Sequence, residues 1–298
     1  MPADANALLV VVNPSAGSSD DEITDAVVAA LKASGATVDV AATSDQADLA
    51  NALAEHSNID GVVVLGGDGS LHAVVQAMYD AKRLADAWIA LIPLGTGNDF
   101  ARTIGLPEDH AEATQLVATG RLRPLDLALT AEGEVVVNAI HVGVGADAAS
   151  VAAPWKRRLG PIGYVIGAVV AGFVRPGVKL DVTVDDTLIT KGRRVLQVAA
   201  GNGRFVGGGA ALLPDADPAD GQLDVLVVTA AARLRRLRYA IHLGRGDHEK
   251  LDDVRIVRGT TVHIRGAATG ATNDGELCDP ASTHQWRVVP AAWRLIVP

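Results

Sequence analysis

Residues 61–70 read GVVVLGGDGS, an apolar run that leads directly into a glycine-rich turn. An apolar run without polar alternation is typical of a strand that is buried on both faces of a parallel sheet. The glycines allow backbone N–H groups to approach a phosphate, and the N-terminus of a following helix adds a positive dipole end. We therefore predict a strand over 61–65, a phosphate-binding loop over 66–70, and a helix over 70–82 with Ser70 as its N-cap.

The same alternation of apolar runs and helical patterns extends through the first 124 residues. Repeated strand–helix units of this kind predict an α/β domain, with helices on both faces of a parallel sheet. The other predicted strands are 8–12, 37–41 and 88–93, and the other predicted helices begin near Asp20 and cover 47–54.

After Pro124, apolar runs follow one another with few helical patterns between them. Such runs predict an antiparallel β-sandwich, so we place a domain boundary near residues 123–126. The predicted strands are 125–129, 135–142, 178–184, 195–200, 223–228, 254–257, 261–264 and 293–297. The two predicted helices cover residues 159–174 and 231–243.

A second glycine-containing loop follows the predicted strand 88–93. Residues 93–102 read PLGTGNDFAR, and the first predicted strand ends in NPSAG at residues 13–17. Because the carboxyl ends of parallel strands share one edge of a sheet, we expect the three loops to converge. Asp68 and Asp99 would repel a polyphosphate there unless a cation such as Mg²⁺ lay between them. The pair indicates kinase chemistry, with the alternative that Asp99 only caps its own helix.

Composition and motif content exclude several classes of protein. The 298 residues suffice for two domains, and a net charge of −9 argues against a nucleic-acid binder. A single cysteine, Cys278, excludes an internal disulfide. Residues 143–148 match a loose dinucleotide fingerprint, but no acidic residue follows about 20 positions later, and no Walker A motif occurs. The longest uncharged stretch, 159–174, is too short to span a membrane, so we expect a cytoplasmic protein.

Taken together in chain order, these motifs resemble the soluble diacylglycerol kinase and sphingosine kinase family of lipid kinases, particularly its bacterial members. No single motif is specific, but the ordered set spans nearly the whole chain. The stretches that carry the resemblance are NPSAG at 13–17, GGDGS at 66–70, PLGTGNDFAR at 93–102, GNG at 201–203, GGG at 207–209, PDADPADGQLDV at 214–225 and DGE at 274–276.

The resemblance implies a phosphofructokinase- or NAD kinase-like domain over residues 1–124, completed by a C-terminal strand at 290–298. It implies a β-sandwich domain over 125–289 that receives the lipid. The implied activity is the ATP- and Mg²⁺-dependent phosphorylation of a lipid hydroxyl in phospholipid metabolism, as in diacylglycerol kinases. The implied partner is a lipid substrate, met transiently at the inner face of the membrane.

The resemblance also assigns roles to residues. It implies Asp274 as the general base on the lipid hydroxyl, with Glu276 positioning the base or the metal. The implied ATP and Mg²⁺ residues are Asn13, Pro14, Gly17, Gly66, Gly67, Asp68, Gly69, Ser70, Gly95, Thr96, Asn98 and Asp99. A structural metal is implied at Asp217, Asp220 and the carbonyl of Gln222, where the residues alone fit a solvated acidic turn as well. The residues Asp274-Gly275 alone favour a type I′ hairpin turn.

Two departures from the family pattern leave alternatives open. Ala73 stands where the family usually has Glu, and residues 18–21 (SSDD) lack the usual cation, which Arg102 or Arg204 would have to replace. The acceptor could be a sphingoid base, another lipid or a small polar alcohol. A protein that binds nucleotide or lipid without catalysis is the alternative from another class, and a homodimer stays open.

Two basic segments have two interpretations each. Residues 156–158 read KRR, and arginines crowd the predicted helix 231–243 at positions 233, 235, 236 and 238. Either segment fits contact with anionic lipid headgroups, or a solvated helix face, which we favour from the sequence.

Overall fold

The computed structural model describes residues 7–14, 21–143, 177–229 and 232–298, which form two compact units. The first unit consists of residues 1–126 and 291–298, and the second unit of residues 127–290. The predicted helix 159–174 and the basic segment 156–158 lie outside the described residues.

The first unit contains the predicted parallel sheet. Its strands are β1 (Ala7–Val12), β2 (Thr37–Ala42), β3 (Gly61–Gly66), β4 (Trp88–Pro93) and the end of the last strand, β16 (Glu276–Val297). The order is β2-β1-β3-β4-β16, and each neighbouring pair is parallel. Every residue of β3 and β4 is buried, which explains why their sequences lack polar alternation.

The described residues of this unit form five helices: α1 (Asp21–Ala33), α2 (Gln46–Glu55), α3 (Asp68–Asp80), α4 (Asp99–Ile104) and α5 (His110–Thr119). Sequence patterns missed α5, because its buried face consists of the small residues Ala113, Thr114 and Val117. The carboxylate of Asp109 accepts hydrogen bonds from the backbone N–H groups of Ala111 and Glu112 and so caps its first turn.

The C-terminal strand is fastened to the first unit by Asp126. Its Oδ1 accepts a hydrogen bond from the backbone N–H of Ala291 (2.8 Å), and its carbonyl accepts one from Trp293 Nε1 (3.0 Å). The Trp293 ring, itself buried, stacks on Phe100 in α4 at a centroid distance of 5.9 Å. The last residues of the chain therefore support the helix that follows the second glycine loop.

The second unit is predominantly antiparallel. Its further strands are β5 (Arg121–Thr130, shared with the first unit), β6 (Val135–Val136), β7 (Ala139–Gly143), β8 (Val178–Val184), β9 (Thr187–Val195), β10 (Gln197–Gly201), β11 (Phe205–Val206), β12 (Ala210–Ala211), β13 (Leu223–Val228), β14 (Val254–Gly259) and β15 (Thr261–Asn273). The main order is β14-β13-β10-β7-β15. The first half of β15 pairs with β8 and its last residues pair with β7, with irregular register between Arg265 and Ala271. A strand that changes partners at a bulge is the device by which a sandwich turns its corner.

Two apolar cores lie on the two faces of β13. Val225 and Val227 point into the larger core, whereas Leu226 and Val228 point into a second core. The second core is covered by Tyr239 of α6 (Arg233–Arg245), which is followed by a 3₁₀ turn at His248–Lys250. No helix among the described residues has the length and apolar character needed to cross a membrane.

Several strand boundaries differ from the sequence prediction. The predicted strand 135–142 is interrupted at Val137 and Asn138, because their N–H groups bond to the Asp274 carboxylate instead of to a neighbouring strand. Strand β9 was missed, and β16 is far longer than the predicted segment 293–297. Residues 276–285 of β16 contain no buried position and therefore show no apolar run or alternation that would indicate a strand.

Candidate active site

The two glycine loops of the first unit touch each other. The carbonyl of Gly66 accepts a hydrogen bond from the N–H of Leu94 (2.9 Å). A Cβ built on Gly95 would lie 2.6 Å from the Cα of Gly67, and one on Gly67 would lie 2.9 Å from the Cα of Gly95. No side chain fits at either position, so glycine there is a requirement of loop-to-loop contact.

Asp68 joins the loops through its carboxylate. Its Oδ2 accepts from the backbone N–H of Asp99 (3.0 Å) and its Oδ1 from that of Phe100 (2.9 Å). These N–H groups belong to the first turn of α4 and have no partner within that helix. The cap of α4 therefore comes from the other loop, and Asp99 is not needed for that purpose.

The carboxylates of Asp68 and Asp99 approach the same point beside Gly97. A Cβ at Gly97 would lie 3.2 Å from Asp68 Oδ2 and 3.7 Å from Asp99 Oδ2. Asp99 is 6% exposed, and the guanidinium of Arg102 lies 3.4 Å from its Oδ1 and donates to the carbonyl of Gly97. Two carboxylates in so small a space form a donor set that suits a hard cation such as Mg²⁺.

Ser70 is not the N-cap of α3, which is a correction to the sequence prediction. The helix begins at Asp68, with Gly67 as the cap residue, and the Ser70 hydroxyl lies against Gly66. Because the helix starts two residues earlier than predicted, Gly69 falls inside the first turn. A Cβ there would have no atom within 4 Å, so the backbone is open to a ligand on that side.

Asn98 adds a polar atom to the second loop. It has a left-handed conformation (φ 49°), and its Nδ2 donates to the carbonyl of Gly95 (2.8 Å). Its Oδ1 is buried and has no hydrogen-bond partner among the described residues. Asn98 and Arg102 also line a cavity of about 230 Å³ beside α4, together with Leu106.

For the remaining predicted nucleotide residues, the structure gives only their place in the fold and their exposure. Asn13 and Pro14 directly follow β1, at the same sheet edge as the glycine loops, and Thr96 is exposed. Gly17 lies outside the described residues.

Asp274 forms a hairpin turn and also anchors a neighbouring strand in the second unit. Asp274 (φ 49°) and Gly275 (φ 94°) connect β15 to β16 as a two-residue turn of type I′. The Asp274 carboxylate accepts from the backbone N–H groups of Val137 (2.7 Å), Asn138 (2.8 Å) and Ala139 (2.9 Å). Its orientation is thus set by three donors, and the turn predicted from the residues coexists with a positioned carboxylate.

Three buried polar residues of this unit, His141, Asn138 and Asn202, are not marked as site residues by the sequence patterns. His141 is buried in β7, with Gln197 Nε2 at 3.3 Å from its Nδ1. Burial lowers the pKa of His141 to about 4, against the opposing effect of the Asp274 charge, so the ring is neutral at pH 7. Asn138 Oδ1 and both amide atoms of Asn202 are buried without a partner among the described residues. A polar residue inside an apolar strand was the available signal for His141, and the GNG motif for Asn202.

Glu276 is exposed on the same hairpin, and its predicted role stays a prediction. The neighbouring Asn273 is fixed instead, since its Nδ2 donates to Glu134 (3.1 Å) and its Oδ1 accepts from Trp286 (3.2 Å).

The acidic loop of the second unit is partly neutralised by protein groups. Asp217 accepts from the N–H of Ala219, Asp220 accepts from that of Gln222, and Arg258 forms ion pairs with Asp220 and Asp224. Burial, then the charges of Asp215 and Asp217, raise the pKa of Asp224 to about 6. In the part of the chain that the structure describes, no three His, Cys, Asp or Glu side chains are grouped to hold a metal. The structural metal stays a prediction, and Arg204 supports this loop by donating to the carbonyl of Ala216.

Two family models match this chain, one in each half. Residues 7–130 match a family model described as the diacylglycerol kinase catalytic domain. Residues 138–297 match the model described as the YegS C-terminal NAD kinase beta sandwich-like domain.

Among curated relatives, the "Probable lipid kinase YegS-like" of Stenotrophomonas maltophilia is 33% identical, over 74% of this chain and 72% of that protein. The "Diacylglycerol kinase" of Mycobacterium tuberculosis is 30% identical, over 80% and 77%.

Solved structures agree with the fold. A crystal structure of a diacylglycerol kinase from Bacillus anthracis is 26% identical and superposes with a TM-score of 0.81 over 99% of this chain and 97% of that chain. Yeast NADH kinase, at 12% identity and a TM-score of 0.50 over 99% and 84%, shares the fold alone. The resemblance and the fold class inferred from the sequence are confirmed, and the chain belongs to the diacylglycerol kinase family of lipid kinases.

Proposed function

We propose that this enzyme transfers the γ-phosphoryl group of Mg²⁺-bound ATP to the free hydroxyl of a diacylglycerol-type lipid. The observation that carries the proposal is the contact between the two glycine loops, which brings Asp68 and Asp99 to one point beside an open helix N-terminus. Such a site suits a polyphosphate with a divalent cation better than it suits a neutral ligand.

The residues present fit both groups. The open backbone at Gly69 and the start of α3 would receive phosphate oxygens, and Arg102 would offset part of the added negative charge. The oxygens of Asp68 and Asp99 would hold Mg²⁺, which when bound neutralises charge on the transferred phosphoryl group. The Oδ1 of Asn98, which has no hydrogen-bond partner within the described part of the chain, offers one more acceptor for a water or a ribose hydroxyl.

Asp274 is the proposed general base. In the proposed step the lipid hydroxyl oxygen bonds to the γ-phosphorus, the bond to the β–γ bridging oxygen breaks, and Asp274 accepts the hydroxyl proton. The three backbone donors orient its carboxylate in advance, which lowers the reorganisation needed at the moment of reaction.

The test must separate catalysis by Asp274 from its structural role, because Asp274→Asn would place an amide N–H₂ opposite backbone donors. Asp185 provides a matched control. It also has a left-handed conformation (φ 51°) in a hairpin turn, and its carboxylate accepts from the N–H groups of Thr260 and Thr261. All of these bonds end on one oxygen, Oδ1, which asparagine would keep, so the control substitution is Asp185→Ala. It removes a comparable structural contact from the same unit.

The experiment measures transfer from labelled ATP, with Mg²⁺, to detergent-dispersed lipid alcohols. We expect the wild type to label diacylglycerol and Asp185→Ala to retain most of this activity. Asp274→Asn should lose at least about 100-fold in kcat while still binding ATP. Equal losses in the two variants would contradict the role of Asp274 as base.

The panel also tests the acceptor. Labelling of a sphingoid base or a small polar alcohol in preference to diacylglycerol would replace the proposed substrate and keep the kinase. Tight ATP binding without transfer to any acceptor would favour a non-catalytic protein. In that case Ala73→Glu, which restores the usual family residue in α3, shows whether Ala73 is the cause.

A further inference from the structure

We propose that α6 docks the second unit onto a membrane surface that contains anionic lipids, an inference that rests on the proposed lipid substrate. The first observation is an exposed apolar stripe. Leu234, Leu237 and Ile241 are 78%, 40% and 45% exposed. Their spacing of three and four residues places them on one side of the helix. None of them belongs to either apolar core described for the second unit.

Arginines border this stripe on both sides. Arg233, Arg238 and Arg245 are exposed, and none of them forms an ion pair with the residues that the structure describes. Arg235 differs, since it is paired with Asp253 at 2.7 Å. The helix itself contains no acidic residue, although the chain as a whole has a net charge of −9. The positive charge is therefore local to the apolar stripe.

The opposite side of α6 fixes the helix to the protein. Tyr239 and Arg236 are buried there, and Tyr239 packs in the second core with Leu212 and Leu213. At the C-terminus, Gly246 closes the helix with a left-handed conformation (φ 71°). The stripe is thus presented by a helix with a packed underside, which would not need to reorganise in order to bind.

This combination selects an anionic membrane as the occupant. An amphipathic helix with leucines and isoleucine in a stripe between arginines inserts its apolar residues at the level of the headgroups, while the arginines meet lipid phosphates. A second copy of the same face would bring these arginines against one another, which opposes self-association. The helix is 13 residues long and would lie in the membrane plane.

The test is co-sedimentation of the full chain with vesicles of phosphatidylcholine, alone or mixed with phosphatidylglycerol. We expect binding mainly to the mixed vesicles. The double variants Leu234→Ser/Leu237→Ser and Arg233→Gln/Arg238→Gln should each weaken it by about tenfold or more.

Matched controls lie on β9. Leu188→Ser removes a leucine that is 51% exposed, and Lys191→Gln/Arg193→Gln removes the same charge as the arginine pair. Neither control should change vesicle binding. Equal losses in the control and α6 variants, or no loss in the α6 variants, would overturn the proposal.

Activity assays separate this inference from the proposed function. The α6 variants should retain phosphorylation of diacylglycerol in detergent micelles and lose it on anionic vesicles. If vesicle binding depends on α6 but no phosphoryl transfer occurs in micelles or on vesicles, the docking surface is supported and the proposed kinase substrate is refuted. A dimer that dissociates in Leu234→Ser/Leu237→Ser while vesicle binding stays unchanged would identify a self-association face and overturn membrane docking.

Discussion

Gly95→Ala tests the contact between the two glycine loops. The new Cβ would lie 2.6 Å from the Cα of Gly67, 2.7 Å from Asn98 Oδ1 and 3.3 Å from the N of Gly67. Because two of these atoms belong to backbone, no rotamer change relieves the overlap. The loops must separate by about 1 Å to reach the distance at which carbon atoms attract each other.

The expected cost follows from this displacement. Overpacking of this kind destabilises by about 1–3 kcal/mol. A 1 Å separation would also stretch the 2.9 Å bond from the N–H of Leu94 to the carbonyl of Gly66, worth about 1 kcal/mol. We expect the first unit of Gly95→Ala to lose about 2–4 kcal/mol and to bind ATP poorly.

Amide hydrogen exchange at Leu94 reports this loss directly, and isothermal titration with ATP reports the binding. Gly69→Ala is the matched control, because its Cβ meets no atom within 4 Å and alanine is favoured over glycine inside a helix by about 1 kcal/mol. It should keep or raise stability, while a methyl group on the open side of α3 weakens ATP binding. Unchanged exchange at Leu94 in Gly95→Ala would refute the reasoning.

Three further predictions concern charged groups. Asp68→Asn should destabilise the first unit by about 1–3 kcal/mol, because an amide N–H₂ then faces the N–H of Asp99 or Phe100, and chemical denaturation measures this loss. Asp224 has a pKa of about 6 in the folded protein and an ordinary pKa of 3.8, so its contribution to stability falls as pH rises between these values. His141 has a pKa of about 4 in the folded protein and an ordinary pKa of 6.5, so its contribution to stability rises with pH over a similar range. These two effects largely offset each other in the wild type between pH 4 and 6. Stability should therefore rise with pH over this range in Asp224→Asn and fall in His141→Gln. Profiles of stability against pH that superpose on the wild type would contradict both assignments. Mg²⁺ should raise the Tm of the nucleotide-free protein through the loop at Asp217 and Asp220, and Asp217→Asn should remove that increase. A Tm that changes with neither Mg²⁺ nor a chelator would contradict a metal in this loop, where Arg258 already pairs with Asp220.

The fold class and the candidate residues of the first unit could be inferred from the sequence because their signals are local. A buried parallel strand has a continuous apolar sequence, and the glycines that follow β3 and β4 mark tight turns next to helix N-termini. These features fixed the α/β class, the position of the two loops, and Asp68 and Asp99 as candidate residues. The small apolar face of α5 gave no comparable signal.

The partners of each side chain were decided only by the tertiary structure. The Asp68 carboxylate accepts a hydrogen bond from the N–H of Asp99, 31 positions away in the sequence. The Asp274 carboxylate accepts one from the N–H of Val137, 137 positions away. The sequence by itself determined where carboxylates and glycines stand along the chain. Whether a carboxylate caps a helix, interrupts a strand or faces another carboxylate depends on which distant N–H groups the folded chain brings within about 3 Å of it.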